Sequence, residues 1–382
     1  MQNIALAALS NTLRGLRDEI TVAKLTKRTR QCTIATVATA VAIYVSHWLR
    51  LEQIWWPAIC AFSLTGLEVK ASLRQGTQQI AGTLCGTTLG WLLSQYVAGG
   101  IGPFVLCVIG LSSGGLYLAT SRAASYMWIL STVLAIFMIA SVRAHPATNP
   151  ADLVVALSVG ALTGTIAYWL VCLAADMLVR IFGGKTRAGD AAASAPSAST
   201  QATLGRLRHT VAGAVTLSVL AYLAFRYPLE GFAQAMTTAL VTLLVPLDAS
   251  GAWSPYAVAL RMCHRLLGCL IGSVFVIALV PLTAGNMHLC VVALCVLVWL
   301  SCHFRFGDLN VSYAGTQFGA VVILAFVHDQ AWLSDDVHAA YGRLLGVTAG
   351  IVVLTVVLAV VGRTFRGWPL SRSERGFGTR GE

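Results

Sequence analysis

Residues 265–282 read RLLGCLIGSVFVIALVPL: one arginine, then a mostly apolar run with two glycines four positions apart. A run of this kind approaches the ~20 apolar residues that a helix needs to cross a bilayer. Gly268 and Gly272 leave two successive turns of one helix face without side chains, so a second helix can approach closely in lipid. Residues 343–350, RLLGVTAG, repeat the opening of the stretch, and residues 79–86, QIAGTLCG, form a looser copy. One membrane-type helix motif therefore recurs along the chain.

The composition extends that reading to the whole molecule. Of 382 residues, 57% are hydrophobic and only 11% charged, against ~25% charged in an ordinary soluble domain. The mean hydropathy is +0.75. Too few charged groups exist to cover a soluble surface, so the expected fold class is an all-α integral membrane protein. Disorder, collagen and a disulfide-rich scaffold are excluded by the same figures. The ten cysteines lie in or beside apolar runs without CxxC or zinc spacing, as soft packing residues do. Residues 1–13 lack the basic start of a cleavable signal peptide.

Twelve apolar runs are candidate spans: 33–49, 55–67, 80–97, 101–120, 125–142, 153–175, 211–225, 231–247, 266–282, 288–303, 309–327 and 344–361. The second is too short to cross unaided, and a tilted, broken or re-entrant helix is expected there. Residues 183–205, rich in Ala, Ser, Gly and Pro, cannot build a core and read as a flexible linker. The expected organisation is a cytoplasmic N-terminal segment (1–32), a six-helix membrane half (33–182) and that cytoplasmic linker (183–205). A second six-helix half (206–362) and a basic cytoplasmic tail (363–382) follow.

The formal net charge of +11 could suggest nucleic acid, but no basic-aromatic stripe appears in a soluble segment, so no nucleic-acid partner is expected. Cytoplasmic loops of membrane proteins collect Lys and Arg. With twelve crossings and both termini inside, 22 of the 26 basic residues fall on the inner side, and Arg50, Arg143, Arg226 and Arg343 fall outside.

Four glycine pairs carry a register. Gly82/Gly86 and Gly160/Gly164 stand 78 residues apart, as do Gly268/Gly272 and Gly346/Gly350. They lie in spans three, six, nine and twelve. Two homologous halves offset by 186 residues are expected, each holding two three-helix units of opposite orientation. Transporters built from such repeats place their pathway where the repeats meet.

Other motifs have plainer explanations. Gly110-Leu111-Ser112-Ser113-Gly114 matches the GxSxG nucleophile elbow, which needs a strand-turn-helix context. Inside a span, close helix packing explains it. His328, Asp329, Asp335, Asp336 and His338 resemble metal ligands, yet an outer loop whose acids cap a helix is the simpler reading. No metal or cofactor is expected. Trp48, Trp55, Trp56 and Trp332 suit an aromatic belt, although Trp56-Pro57 also opens the short second span, where a broken helix could line a pathway. Arg74, Arg265 and Arg343 each precede a glycine-rich helix. They are either interfacial cations or carboxylate-binding forks.

Trp55-Trp56-Pro57, Arg74 and Gly82-Thr83-x-x-Gly86 resemble the first-half signature of the fusaric-acid-resistance (FUSC) and aromatic-acid exporter family. Arg261-x-x-x-Arg265-x-x-Gly268-x-x-x-Gly272, Tyr313-Ala314-Gly315-Thr316-Gln317 and Arg343-x-x-Gly346 resemble its second half. The resemblance spans roughly residues 30–365. It implies a multi-pass inner-membrane protein that exports aromatic carboxylic acids and related compounds at the expense of the proton gradient; an enzyme is not expected, because no catalytic constellation stands out in the sequence. It also implies an alternative, a passive anion channel like the plant aluminium-activated malate transporters. Many bacterial members carry a large cytoplasmic domain where this chain has only a linker, and position 269 is Cys where the family often has Thr.

The expected substrate-binding residues are Trp56, Arg74, Arg265, Tyr313, Gln317 and Arg343, cations for a carboxylate and aromatics for a ring. The expected partners are the lipid bilayer and a small organic anion, with a second copy of the chain or a periplasmic adaptor protein as further candidates. The 186-residue offset pairs Arg122 with Asp308 and Arg143 with Asp329, which makes them candidate ion-pair latches at the two mouths. The charge count also places the linker inside the cell. In a variant freed of native cysteines, Ser194→Cys should resist impermeant thiol reagents in intact cells. Ready labelling from outside would overturn the twelve-span topology.

Overall fold

In the computed structural model the chain is helical, with no strand among the described residues. These are 2–66, 69–97, 100–121, 124–144, 149–181, 200–227, 231–244, 254–283, 286–307, 311–327 and 338–364. An N-terminal helix, α1 (Gln2–Glu19), precedes two sets of six. The first set is α2 (Val22–Trp48), α3 (Trp55–Leu64), α4 (Val69–Val97), α5 (Ile101–Ser121), α6 (Ser125–Ala144) and α7 (Pro150–Ile181). The second is α8 (Thr200–Arg226), α9 (Phe232–Leu243), α10 (Pro255–Thr283), α11 (Met287–Arg305), α12 (Ser312–Phe326) and α13 (His338–Thr364). Each of the twelve apolar runs falls on one helix of these two sets.

Seven helices (α5, α6, α7, α8, α10, α11 and α13) are long and apolar enough to cross a membrane. α3, α9 and α12 are apolar but shorter. α2 and α4 are long and more polar, and several of their hydroxyls turn inward on their own backbones. Thr39 donates to the Ala35 carbonyl at 2.9 Å, Ser46 to Ala42 at 2.6 Å and Thr87 to Thr83 at 2.8 Å. Back-bonding of this kind satisfies a hydroxyl without water. Large apolar side chains also stand exposed along the long helices, among them Leu106, Leu170, Val274 and Leu345. A surface that apolar suits lipid and not water.

The packed pairs recur with a shift of six helices. α4 packs on α6 as α10 packs on α12, and α3 on α7 as α9 on α13. α2 meets α3 and α7 as α8 meets α9 and α13, and α5 meets α6 as α11 meets α12. Contacts between the sets exchange: α5 with α8 and α2 with α11, α6 with α9 and α3 with α12.

The motif glycines lie in these contacts. A Cβ on Gly86 would come within 2.4 Å of the Ser131 carbonyl of α6, and one on Gly268 within 2.3 Å of the Ala314 carbonyl of α12. An added Cβ on Gly164 of α7 would come within 2.2 Å of the Pro57 carbonyl of α3, and one on Gly350 of α13 within 2.5 Å of the Ala235 carbonyl of α9. Gly82, Gly160, Gly272 and Gly346 face the same four partners one turn away. Backbone on backbone at these distances leaves no room for a side chain. Dispersion across such a seam replaces the hydrophobic force that lipid removes.

Residues 1–32, expected as an N-terminal segment, hold α1 and the first turns of α2. Three expectations are corrected. α8 starts at Thr200, inside the stretch assigned to the linker, whose residues 183–199 lie outside the described residues, as does most of the tail. The eighth run is helical only to Leu243. Pro246 cannot donate to the Thr242 carbonyl, and its ring would crowd that group. Finally, Gly110 and Gly114 have nothing within 4 Å of an added Cβ, so helix packing does not explain the GxSxG match. Ser112 is buried within continuous α5 and donates to the Ile109 carbonyl at 3.1 Å.

The glycine geometry separates two substitutions of identical chemistry. Gly86→Ala should lower the unfolding free energy in mixed micelles by about 1–3 kcal/mol through overpacking. Gly114→Ala should raise it by up to ~1 kcal/mol through helix propensity.

Candidate functional site

α3 has 10 residues and α9 has 12. They rise only about 15 and 18 Å, against ~30 Å of bilayer hydrocarbon. The last four carbonyls of a helix lack partners further along it, and in lipid no water replaces them. Cations from other helices reach both ends. At the end of α3, Arg305 donates to the Phe62 carbonyl and, at 2.7 Å, to the Ser63 carbonyl. Its guanidinium carbon also sits 4.8 Å from the Phe62 ring centroid. At the end of α9, Arg261 donates to the Leu244 carbonyl at 2.6 Å, and His209 Nε2 meets the Leu243 carbonyl.

Arg261 and Arg265 share one face of α10, four residues apart. Arg265 is 3% exposed. Its Nε donates to Thr238 Oγ1 of α9 at 3.1 Å, and its Nη1 to the Tyr313 hydroxyl of α12 at 2.9 Å. Arg261 lies 4.5 Å from the centroid of the same Tyr313 ring. One turn from Thr238 on α9, Gln234 accepts from Arg343 of α13 at 3.4 Å. Gln317, one turn beyond Tyr313, is buried against Gly268. Three guanidinium groups thus converge where α9, α10, α12 and α13 meet.

Among the described residues, no carboxylate lies within ion-pairing distance of these three arginines or of Arg305. Gln317 Oε1, Arg261 Nε and Arg343 Nε are buried and without a hydrogen-bond partner there. Buried cations held only by neutral acceptors retain a strong preference for an anion. Arginine adds a planar fork that matches a carboxylate.

The equivalent place in the first set has another chemistry. Gln79 precedes Gly82 by three residues, as Arg265 precedes Gly268. Its Oε1 accepts from the Ser63 hydroxyl at 2.5 Å and the Tyr126 hydroxyl at 2.9 Å. Its Nε2 donates to the Cys60 carbonyl and to Thr165 Oγ1, both at 3.2 Å. All four hydrogen-bonding positions of that amide are filled. The Gln79 amide is fully satisfied, with the cation Arg305 beside it on the Ser63 carbonyl, whereas the second cluster holds three cations with donors to spare.

Four of the six residues expected to bind substrate come together: Arg265, Tyr313, Gln317 and Arg343. Trp56 lies elsewhere, buried between α3 and α7 against Gly160 and edge-on to Trp55 at 5.6 Å. Arg74 is exposed on α4, outside the cluster. Of the latch residues, Arg143 stacks 3.5 Å from the Phe225 ring centroid and 5.6 Å from that of Phe104. Arg122, Asp308 and Asp329 lie outside the described residues, as do Trp332 and the side chains of the His328–His338 loop. Sequence reasoning missed Arg305, Thr238 and Gln234, and it quoted Arg261 without a role. The four-residue spacing of Arg261 and Arg265 was a usable signal. Nothing local marks Arg305, whose partners lie more than 240 residues away.

Residues 37–171, from within α2 to within α7, match the family model described as fusaric acid resistance protein-like. The search of curated proteins and the search of solved structures return no match for this chain. The match ends before Arg265, Tyr313 and Arg343, so it bears on the scaffold of the first set and not on the arginine cluster. Over that first set of helices the chain is similar to the fusaric acid resistance protein-like family, and seven of its described helices are long and apolar enough to cross a membrane.

Proposed function

We propose that the chain is an inner-membrane efflux transporter of small amphipathic organic anions, aromatic carboxylic acids in particular, driven by the proton gradient. The likeness of residues 37–171 to the fusaric acid resistance protein-like family supports transport in general. The observation that carries the finer reading is the unpaired arginine cluster of α10 and α13. A carboxylate between Arg265 and Arg343 would take up the spare donors, and its ring would lie near Tyr313. Aromatic faces and guanidinium planes attract one another, as Arg261 and Tyr313 already do.

In this reading the two sets are homologous halves that cross the membrane twelve times with both termini in the cytoplasm. The lopsided basic residues support the orientation. The exchange of contacts between sets supports a pseudo-twofold axis, since a rotation that carries α5 onto α11 must carry α8 onto α2. The same reasoning supports nested three-helix units: shifting the first set by three turns its α3–α7 contact into α4–α6, and α2–α7 into α4–α5. Short segments in corresponding positions of two halves mark the binding region of many transporters, and α3 and α9 are such a pair.

Flux into proteoliposomes tests the proposal. Uptake of an aromatic carboxylate against its gradient, driven by an imposed pH difference, is the expected result. Flux that only follows the electrochemical gradient would replace the exporter by an anion channel. Arg265→Gln should weaken half-saturation by the substrate at least about tenfold, as loss of one charge-assisted pair does. Arg208→Gln, on α8 away from the repeated motif, should leave it unchanged. Equal, small effects from both would reduce Arg265 to a structural cation.

A further inference from the structure

We infer that α1 is a membrane-surface helix whose outer face docks on anionic lipid headgroups. One side of α1 is committed to the bundle. Ala8, Thr12 and Glu19 are fully buried, and α1 packs on α10. Asn11 Nδ2 donates to the Tyr256 hydroxyl in the first turn of α10 at 2.7 Å. At its other end, the Glu19 carboxylate binds Arg28 at 2.5 Å and Lys24 at 3.4 Å. The Glu19 carbonyl meets His303 Nε2, near the end of α11, at 2.9 Å. α1 is therefore tied across the end of the bundle where α10 starts and α11 stops.

The opposite side is apolar and uncovered. Leu6 is 57% exposed, Leu9 36%, Leu13 50% and Ile20 67%. Leu6 and Leu13 stand seven residues apart, so they share one stripe of the helix, and Ile20 follows just beyond its last residue. The exposed arginines Arg14 and Arg17 flank that stripe, and Asp18 is the exposed acid of α1. Because the bundle is embedded in a bilayer, a helix lying across its end sits at headgroup depth. There the leucines reach the acyl chains, while the guanidinium groups stay among phosphates. A second copy fits the stripe less well, since the same arginines would face each other. Anionic headgroups complement them.

The test uses the full-length protein in nanodiscs, with native cysteines removed and a polarity-sensitive fluorophore on Leu13→Cys. Leu6→Cys is labelled in parallel, so that disturbance at one position does not decide the outcome. In phosphatidylglycerol-containing discs, both labels should emit as in an apolar medium, be quenched by bromolipid and be shielded from iodide. Arg14→Gln with Arg17→Gln should lower the bilayer partition of the label by about fivefold per charge. Free iodide quenching, or shielding without bromolipid quenching and with cross-links between copies, would overturn the inference. So would lipid shielding that ignores both the arginines and the phosphatidylglycerol. None of these readings depends on transport, so they stand or fall apart from the proposed substrate.

Discussion

The C-terminal carbonyls of α3 and α9 set the strongest constraint on this structure. Both helices end after a few turns, and their last carbonyls take donors carried by other helices beside those of their own turn, such as Thr65 on the Phe62 carbonyl. Arg305 supplies it for α3, while Arg261 and His209 supply it for α9. A cation suits a helix C-terminus because the helix dipole is negative there. Yet a carbonyl neutralises no charge. Burying a guanidinium on such partners ends the helix safely and leaves net positive potential inside the protein. The need to terminate short helices thus produces the electrostatics from which anion recognition can follow.

Close packing transmits that constraint outward. α4 can approach α6, and α10 can approach α12, only because glycine stands at the contact. The same glycines hold Gln79 beside Tyr126 and Arg265 beside Tyr313. If the seam opened by the width of a methyl group, the 2.9 Å bond from Arg265 to Tyr313 would lengthen beyond hydrogen-bonding range. The glycine pairs and the polar clusters one turn away are therefore one structural unit. Removing the first would undo the second without touching a polar atom.

Much of the architecture was legible in the sequence, because apolar runs and small-residue spacing are local signals. All twelve runs fall on helices, and the four glycine pairs sit at helix crossings. α1 was not legible, since its burial depends on α10 and its short apolar stripe resembles no span. The true length of α9 was hidden in an apolar run that outlasts its helix. At the site, Arg265 and Arg343 stood out because a repeated motif follows each. Trp56 was drawn in by its proline, but its indole packs on α7. Arg305 was invisible for a physical reason: a lone arginine near the end of a span looks like an interfacial cation until the chain partner 240 residues away is known.

The contrast between Gln79 and Arg265 carries the functional argument furthest. Equivalent scaffolds place both residues three positions before the first motif glycine, each bonded to a tyrosine hydroxyl. Gln79 can fill all four of its hydrogen-bonding positions from its own surroundings, so its cluster is a closed lock that gains nothing from a ligand. Arg265, with Arg261 and Arg343 nearby, cannot reach electrical balance from neutral acceptors whatever their number. In the proposed reading, an anion entering between them would relieve the second cluster, while the filled amide of Gln79 offers it no spare donor.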